Sequence, residues 1–279
     1  MNRLCKLRHL HLPGLTPYLR ASAIQDYLVR THLDHKAAQS TSPPLRPVLL
    51  TFQTPPTYTC GRREVGTLSD SQIAHLRAGG KAEFYEALRG GQTTFHGPGQ
   101  LTAYLTLSLQ QHGLNTRTHV KMLEDSVIGT CKYYGLSTHT TENPGVWIGS
   151  QPDDQKIASV GVHLRRHIAS HGIGLNVSVD LSWFDRIVAC GLVGKRATNL
   201  EKEWTAHYGG AEQQMSAHQP QPGKGPDSPS PFHTPMSLTS VAGIFSRNVA
   251  TLLSGVDSQI VDSVTEAELW PRRSESLAK

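Results

Sequence analysis

The chain has 279 residues, 37% of them hydrophobic, which is enough for one sizeable α/β or α+β domain with its own core. Twenty-seven Lys and Arg against 22 Asp and Glu leave a net charge of +5, a mild excess that favours acidic partners. The basic residues are dispersed and are not interleaved with aromatic residues, which excludes a nucleic-acid binder, and no run nears the roughly 18 apolar residues of a membrane span.

The first 25 residues hold Arg3, Lys6, Arg8 and Arg20 but no Asp or Glu, a composition that resembles a short mitochondrial presequence at residues 1–9. The plain alternative is a basic N terminus on a cytosolic protein. Leu10 to Leu15 reads as a short strand, and after Pro17 the apolar positions Tyr18, Ala21, Ile24, Tyr27 and Leu28 follow a helical period. Pro47 to Gln53 reads as a buried strand, followed by a basic turn, Cys60-Gly-Arg-Arg63, whose arginines are expected to be solvated.

Val120, Leu123, Val127, Ile128, Cys131 and Tyr134 recur at helical spacing within Thr116 to Tyr134, and Gly135 stops the run. Val146 to Ile148, Ile157 to Leu164 and Gly174 to Val179 are short β-rich runs that suggest a mixed sheet. Six of the seventeen prolines fall between Gly209 and Pro235 among Gln, Ser and Gly, so 209–235 reads as a disordered insertion. A helix from about Leu238 to Leu253, capped by Ser237, follows it, so the insertion interrupts a single domain at 10–270. Residues 271–279 read as a loose tail.

Two segments carry chemistry. In Arg89-Gly-Gly-Gln-Thr-Thr-Phe-His-Gly-Pro-Gly-Gln100, the glycines and the proline exclude a helix or a central strand. Such a segment is either an ordinary Gly-rich turn or a loop that brings backbone close to a ligand, with Arg89 and His96 as polar heads. It lacks the Gly-Lys-Ser/Thr ending of a phosphate loop and the glycine spacing of a dinucleotide fingerprint.

The second segment runs from Lys156 through Ser159 to Gly161 and His171 to Asn176, and reaches Cys190-Gly. The four cysteines, Cys5, Cys60, Cys131 and Cys190, have no metal-ligand spacing and are too sparse for a disulfide framework, so the thiols are expected to be free in a reducing compartment. A thiol needs a nearby cation or base to become a nucleophile at neutral pH, and Lys156, His96, His163 and His171 are candidates. On the residues alone, a lone cysteine such as Cys190 is usually a small buried apolar group.

Both segments resemble the octanoyltransferase family, the lipoyl(octanoyl) transferases of lipoate biosynthesis. Arg89 to Gln100 is similar almost residue for residue to that family's first signature, and Lys156 to Cys190 to its second, in the same order and spacing. The similarity spans about Leu10 to Leu200 and resumes after the insertion, as in a eukaryotic, mitochondrial member. The chain departs at Ala189, where a proline commonly precedes the cysteine, at Gly174 for a usual Ala and at Leu105 for a usual Pro after Tyr104.

The resemblance implies an α+β fold of the biotin/lipoyl protein ligase type, a mixed β-sheet with flanking helices. It implies Cys190 as the nucleophile that carries the acyl group as a thioester and Lys156 as the partner that lowers its pKa. Arg89, Gly90, Gly91, Gln92, Thr93, Thr94, Phe95, His96, Ser159, Val160, Gly161, Gly172, Ile173 and Gly174 are implied to hold the acyl substrate, with backbone N–H groups near Gly161 or Gly172 as oxyanion donors. The implied donor is the phosphopantetheine thioester of acyl carrier protein. The implied acceptors are lipoyl domains of 2-oxoacid dehydrogenase complexes and the glycine cleavage H protein, with no cofactor, ATP or metal. Three other readings compete: an ATP-dependent lipoate or biotin ligase, a catalytically silent binding module and a Cys-His hydrolase.

Overall fold

A strand buried along its whole length, Gln100–Ser108, forms the spine of the fold. Strand periodicity sends Leu101, Ala103, Leu105 and Leu107 into one hydrophobic cluster and Tyr104 into another on the opposite face of the sheet. The computed structural model describes residues 5–38, 43–187, 194–215 and 236–269. In chain order these form β1 (Cys5–Leu15), α1 (Tyr18–Ala37), β2 (Val48–Gln53), β3 (Thr57–Cys60), α2 (Asp70–Arg77), β4 (Glu83–Glu86), β5 (Thr94–His96) and β6, the central strand. They continue with α3 (Thr116–Tyr133), β7 (Thr138–His139), β8 (Val146–Ile148), β9 (Gln155–Arg165), β10 (Ile168–Asn176), α4 (Leu200–Met215), α5 (Leu238–Leu252), β11 (Val256–Ser263) and α6 (Glu266–Leu269).

The main sheet has eight strands in the order β11-β1-β2-β6-β10-β9-β8-β7, parallel between β11, β1 and β2 and antiparallel elsewhere. Helices α3 and α5 cover one face through Leu123, Val127, Val241, Phe245 and Val249, and α1 covers the other through Ala21, Ile24 and Leu28. The expected mixed sheet with flanking helices is the observed fold. A second sheet, β4-β3-β5, is built on the aromatic residues Tyr58 and Phe95, with the Trp183 ring stacked 5.2 Å from Phe95.

Several expected elements are observed and others are corrected. Asn115 caps α3 by accepting the Thr118 N–H, and Ser237 caps α5 by accepting the Ser240 N–H. Strand β1 starts at Cys5, five residues before the expected Leu10, because Leu7 is fully buried and Arg8 already pairs with Val48. Residues 5–9, read as part of a presequence, thus belong to the sheet.

Strand β10 is Ile168–Asn176 and not Gly174 to Val179; its glycines and His171 hide a strand whose burial between β6 and β9 overrides weak β-propensity. Helix α4 runs to Met215, into the stretch expected to be disordered. Leu200 and Trp204 anchor its start in the core, and the prolines behind that expectation begin only at Pro220. Residues 216–235 and 270–279 lie outside the described residues.

Candidate active site

The two halves of the second segment form one wall. In the β9/β10 ladder Gly161 faces Gly172, Val160 faces Ile173 and Ser159 faces Gly174. A Cβ at Gly172 would lie 2.2 Å from the Ala103 carbonyl oxygen, so any side chain there would force the strands apart. The loop from Arg89 closes over this wall, and the Gly90 N–H donates to the Val162 carbonyl at 2.9 Å. Between them is a predominantly apolar cavity that opens to solvent.

Arg89, Gly91, Gln92, Thr93, Thr94, His96, Lys156, Ser159, Val160, Gly161, Gly172, Ile173 and Gly174 all line the cavity. Gly90 and Phe95 do not. Gly90 is held to β9 by its backbone, and the Phe95 ring is buried between Tyr58, Trp183 and Phe184. Five lining residues were not anticipated: Tyr104, Asn176, Phe184, Ile187 and Ala197. The apolar-and-threonine run Leu101 to Leu107 within β6 and the Asn ending β10 were the available signals for the first two; the others are brought there by tertiary contacts alone. A neighbouring cavity shares Gln92, Thr93 and Ile187 and is otherwise lined by α2 residues, Glu64, Leu68 and Arg186.

Arg89 is a cross-link as much as a wall. Its Nε and Nη2 donate to the Thr59 hydroxyl at 3.2 and 2.7 Å, Nη2 donates to the Thr59 carbonyl at 2.6 Å, and Nη1 donates to the carbonyls of Gly90 and Gln92 at 3.1 and 2.9 Å. The planar fork thereby ties the Gly-Gly turn to β3. Arg62 and Arg63 are exposed in their turn, as expected.

The three histidines separate. His96 lines the cavity, whereas His163 and His171 do not. Gln100 Nε2 donates to Phe95 O and Asn176 Oδ1, so its Oε1 is the acceptor toward His96 Nδ1 at 2.8 Å. His96 therefore carries its proton on Nδ1, and its buried Nε2 has no hydrogen-bond partner among the described residues. Burial first, and Arg89 second, lower its pKa to about 4, so it is neutral. His171 sits at φ +60°, donates its N–H to Gln25 Oε1 at 2.6 Å and packs edge-on against Tyr104. Burial lowers its pKa to about 3. Neither ring is a cation beside a thiol.

Lys156 is buried at the start of β9, donates from Nζ to the Pro144 carbonyl at 2.8 Å and lies 4.6 Å from the centre of the Trp147 ring. Cys190 falls in 188–193, outside the described residues, but Ile187 and Ala197 on either side both line the cavity. Burial raises the pKa of each of Cys5, Cys60 and Cys131, to about 12 at Cys131.

Taken together, a mixed sheet with a Gly-rich loop closed over a largely apolar cavity is the lipoate-protein ligase type of fold. A bi-partite lipoate protein ligase from Thermoplasma acidophilum superposes with a TM-score of 0.59 at 16% identity, over 95% of this chain and 89% of that one. A lipoate-protein ligase A bound with ATP gives 0.61 at 15% identity, over 95% and 91%. At such identities the likeness concerns the fold alone.

The family is settled by sequence. The lipoyl protein ligase A/B catalytic domain model matches residues 17–216. A "probable octanoyltransferase" of Schizosaccharomyces pombe is 46% identical over 190 residues, covering 68% of this chain and 82% of the relative. The human mitochondrial octanoyl-[acyl-carrier-protein]:protein N-octanoyltransferase is 41% identical over 198 residues, covering 70% and 83%. The chain belongs to the octanoyltransferases of the lipoyl protein ligase A/B family and is an acyltransferase. Relatives in man, Kluyveromyces lactis and Arabidopsis thaliana are named as mitochondrial, the location expected for this chain.

Proposed function

We propose that this enzyme transfers an octanoyl group from the phosphopantetheine thioester of acyl carrier protein to a lysine of lipoyl domains, through a thioester on Cys190 that Lys156 makes reactive. The observation that carries the reading is convergence. Two segments distant in sequence, Arg89 to His96 and Lys156 to Gly174, close on one largely apolar cavity with a buried ammonium in its wall. The donor and the acylated protein are those in the human relative's name, and the acceptors include the lipoyl domains of 2-oxoacid dehydrogenases and the glycine cleavage H protein.

The cavity accepts the acyl chain against Ser159 to Gly161 and Gly172 to Gly174. The Cys190 thiolate, favoured by the Lys156 ammonium, attacks the donor thioester; its sulfur gains the acyl carbon as the carbon–sulfur bond to pantetheine breaks, and Lys156 gives its proton to the departing thiolate. A neutral acceptor lysine then attacks the enzyme thioester, the C–S bond breaks as the amide forms, and the now neutral Lys156, or a water it holds, takes the released proton. Thioester to amide transfer is downhill, so the cycle needs no ATP and no metal, and the two partners visit one site in turn.

Intact-mass spectrometry after mixing with octanoyl-acyl carrier protein tests this. The wild type gains a hydroxylamine-sensitive octanoyl adduct, Cys190→Ala gains none and Lys156→Ala gains it slowly. Acylation of a lipoyl domain that occurs only with ATP and free octanoate would replace this reading with that of an adenylating ligase.

A further inference from the structure

We propose that Glu124 is a positioning residue for Lys156, acting through the single peptide group between Pro144 and Gly145. The inference rests on the thioester reading given above. Glu124 lies on α3 and is buried, with 8% of its surface exposed, a setting in which a carboxylate requires a compensating partner. Its Oε1 accepts the Gly145 N–H at 2.8 Å, and the Pro144 carbonyl accepts the Lys156 ammonium at 2.8 Å. That N–H and that carbonyl belong to one planar amide. The amide dipole thus has a carboxylate at its positive end and an ammonium at its negative end, and each hydrogen bond strengthens the other.

The turn is shaped for this contact. Gly145 is at φ +124°, and a Cβ there would lie 2.6 Å from the Ala158 carbonyl oxygen and 3.0 and 3.1 Å from Lys156 Cε and Nζ. The Trp147 indole N–H donates to the Asn143 carbonyl at 3.2 Å, which closes the turn and presents the ring to Lys156. Burial raises the Glu124 pKa and Asp125 adds to the rise, opposed by the Gly145 hydrogen bond, then by Lys121 and last by Lys156. The other charged groups nearby also pair with one another. Lys195, 5.8 Å from the Trp147 ring, binds Asp154, which His139 also approaches, and Lys121 pairs with Asp125 on α3.

The test compares Glu124→Gln and Glu124→Ala with wild type in octanoyl loading by intact mass. Alongside it, the pH dependence of Cys190 alkylation by iodoacetamide is followed by peptide mass, and Tm is recorded. Glutamine keeps an oxygen that accepts the Gly145 N–H, so a merely structural bond survives the change while the charge does not. Glu124→Gln is expected to keep the wild-type Tm, to load about tenfold more slowly at neutral pH and to raise the apparent Cys190 pKa by about one unit. Glu124→Ala shifts further and lowers Tm. Wild-type loading and an unmoved pH profile in Glu124→Gln would overturn the inference.

Where Glu124→Gln itself lowers Tm, the Lys156→Ala background decides. Loading equal to that of Lys156→Ala alone supports action through Lys156, and a further tenfold loss overturns it. A wild type without a Cys190 adduct, or a Lys156→Ala variant that loads normally, sinks the thioester reading first, and the inference with it.

Discussion

The cavity has two cationic walls, the loop that carries Arg89 and the strand that carries Lys156, and they hold their charges in different ways. Arg89 directs donors from all three guanidinium nitrogens at Thr59, Gly90 and Gln92, and so acts as a staple between the Gly-Gly turn and the small sheet. Lys156 meets a backbone carbonyl and the face of Trp147, a setting that keeps a compact ammonium in place. The difference teaches that a signature residue next to a substrate cavity can act mainly by shaping it, and that burial alone does not separate the two roles.

The comparison is broken most sharply at Lys156. Lys156→Met, which replaces the ammonium by an apolar group of similar length, is expected to slow octanoyl loading by about 100-fold or more, with a smaller loss of stability than a change at Arg89 brings. Arg89→Lys should do the reverse in kind. It loses the fork that grips Thr59 and lowers the free energy of unfolding by about 3 kcal/mol in urea titrations, with loading falling as the loop loosens. Equal stability loss at both positions would erase the distinction.

Acid pH probes the Arg89 side through its two histidines. Their folded pKa values, about 4 at His96 and about 3 at His171, lie below the ordinary 6.5. As pH falls, the unfolded chain binds these protons first. Their stabilisation is therefore complete above about pH 6.5 and is lost progressively down to about pH 4 for His96 and about pH 3 for His171, by roughly 3 kcal/mol at His96 and roughly 5 kcal/mol at His171. His96→Asn should flatten the fall in urea midpoint across this range by about one proton, whereas Lys156→Met should leave it alone.

On the strand wall itself, Gly172→Ala should cost about 1 to 3 kcal/mol, visible as a lower Tm, because its Cβ would meet the Ala103 carbonyl oxygen at 2.2 Å. At the far end of the scale, Arg46→Ala removes the exposed pair with Asp262 at 3.0 Å, distant from both walls, and should change stability by less than about 1 kcal/mol. A larger effect would show that the sheet edge is coupled to the cavity.

What the sequence by itself determined is what local pattern and motif can encode. Helices α3 and α5 were legible because their apolar residues recur at helical spacing behind capping side chains, and β2 because it is a short apolar run after a proline. Most of the cavity residues were legible because two long signatures hold them in fixed order, and the family they resemble is the one to which the chain belongs. Tertiary structure alone decided the rest. Strand β10 is hidden by its glycines and exists because β6 and β9 flank it, and β1 extends to Cys5 because Leu7 is buried. Phe95 turns out of the cavity into an aromatic cluster, while Phe184, Ile187 and Ala197 join its wall. The engagement of Arg89 with Thr59, and of Glu124 with the peptide that holds Lys156, joins residues 30 and 21 positions apart. Contacts across such distances are set by how sheet and helices pack, and no spacing along the chain encodes them.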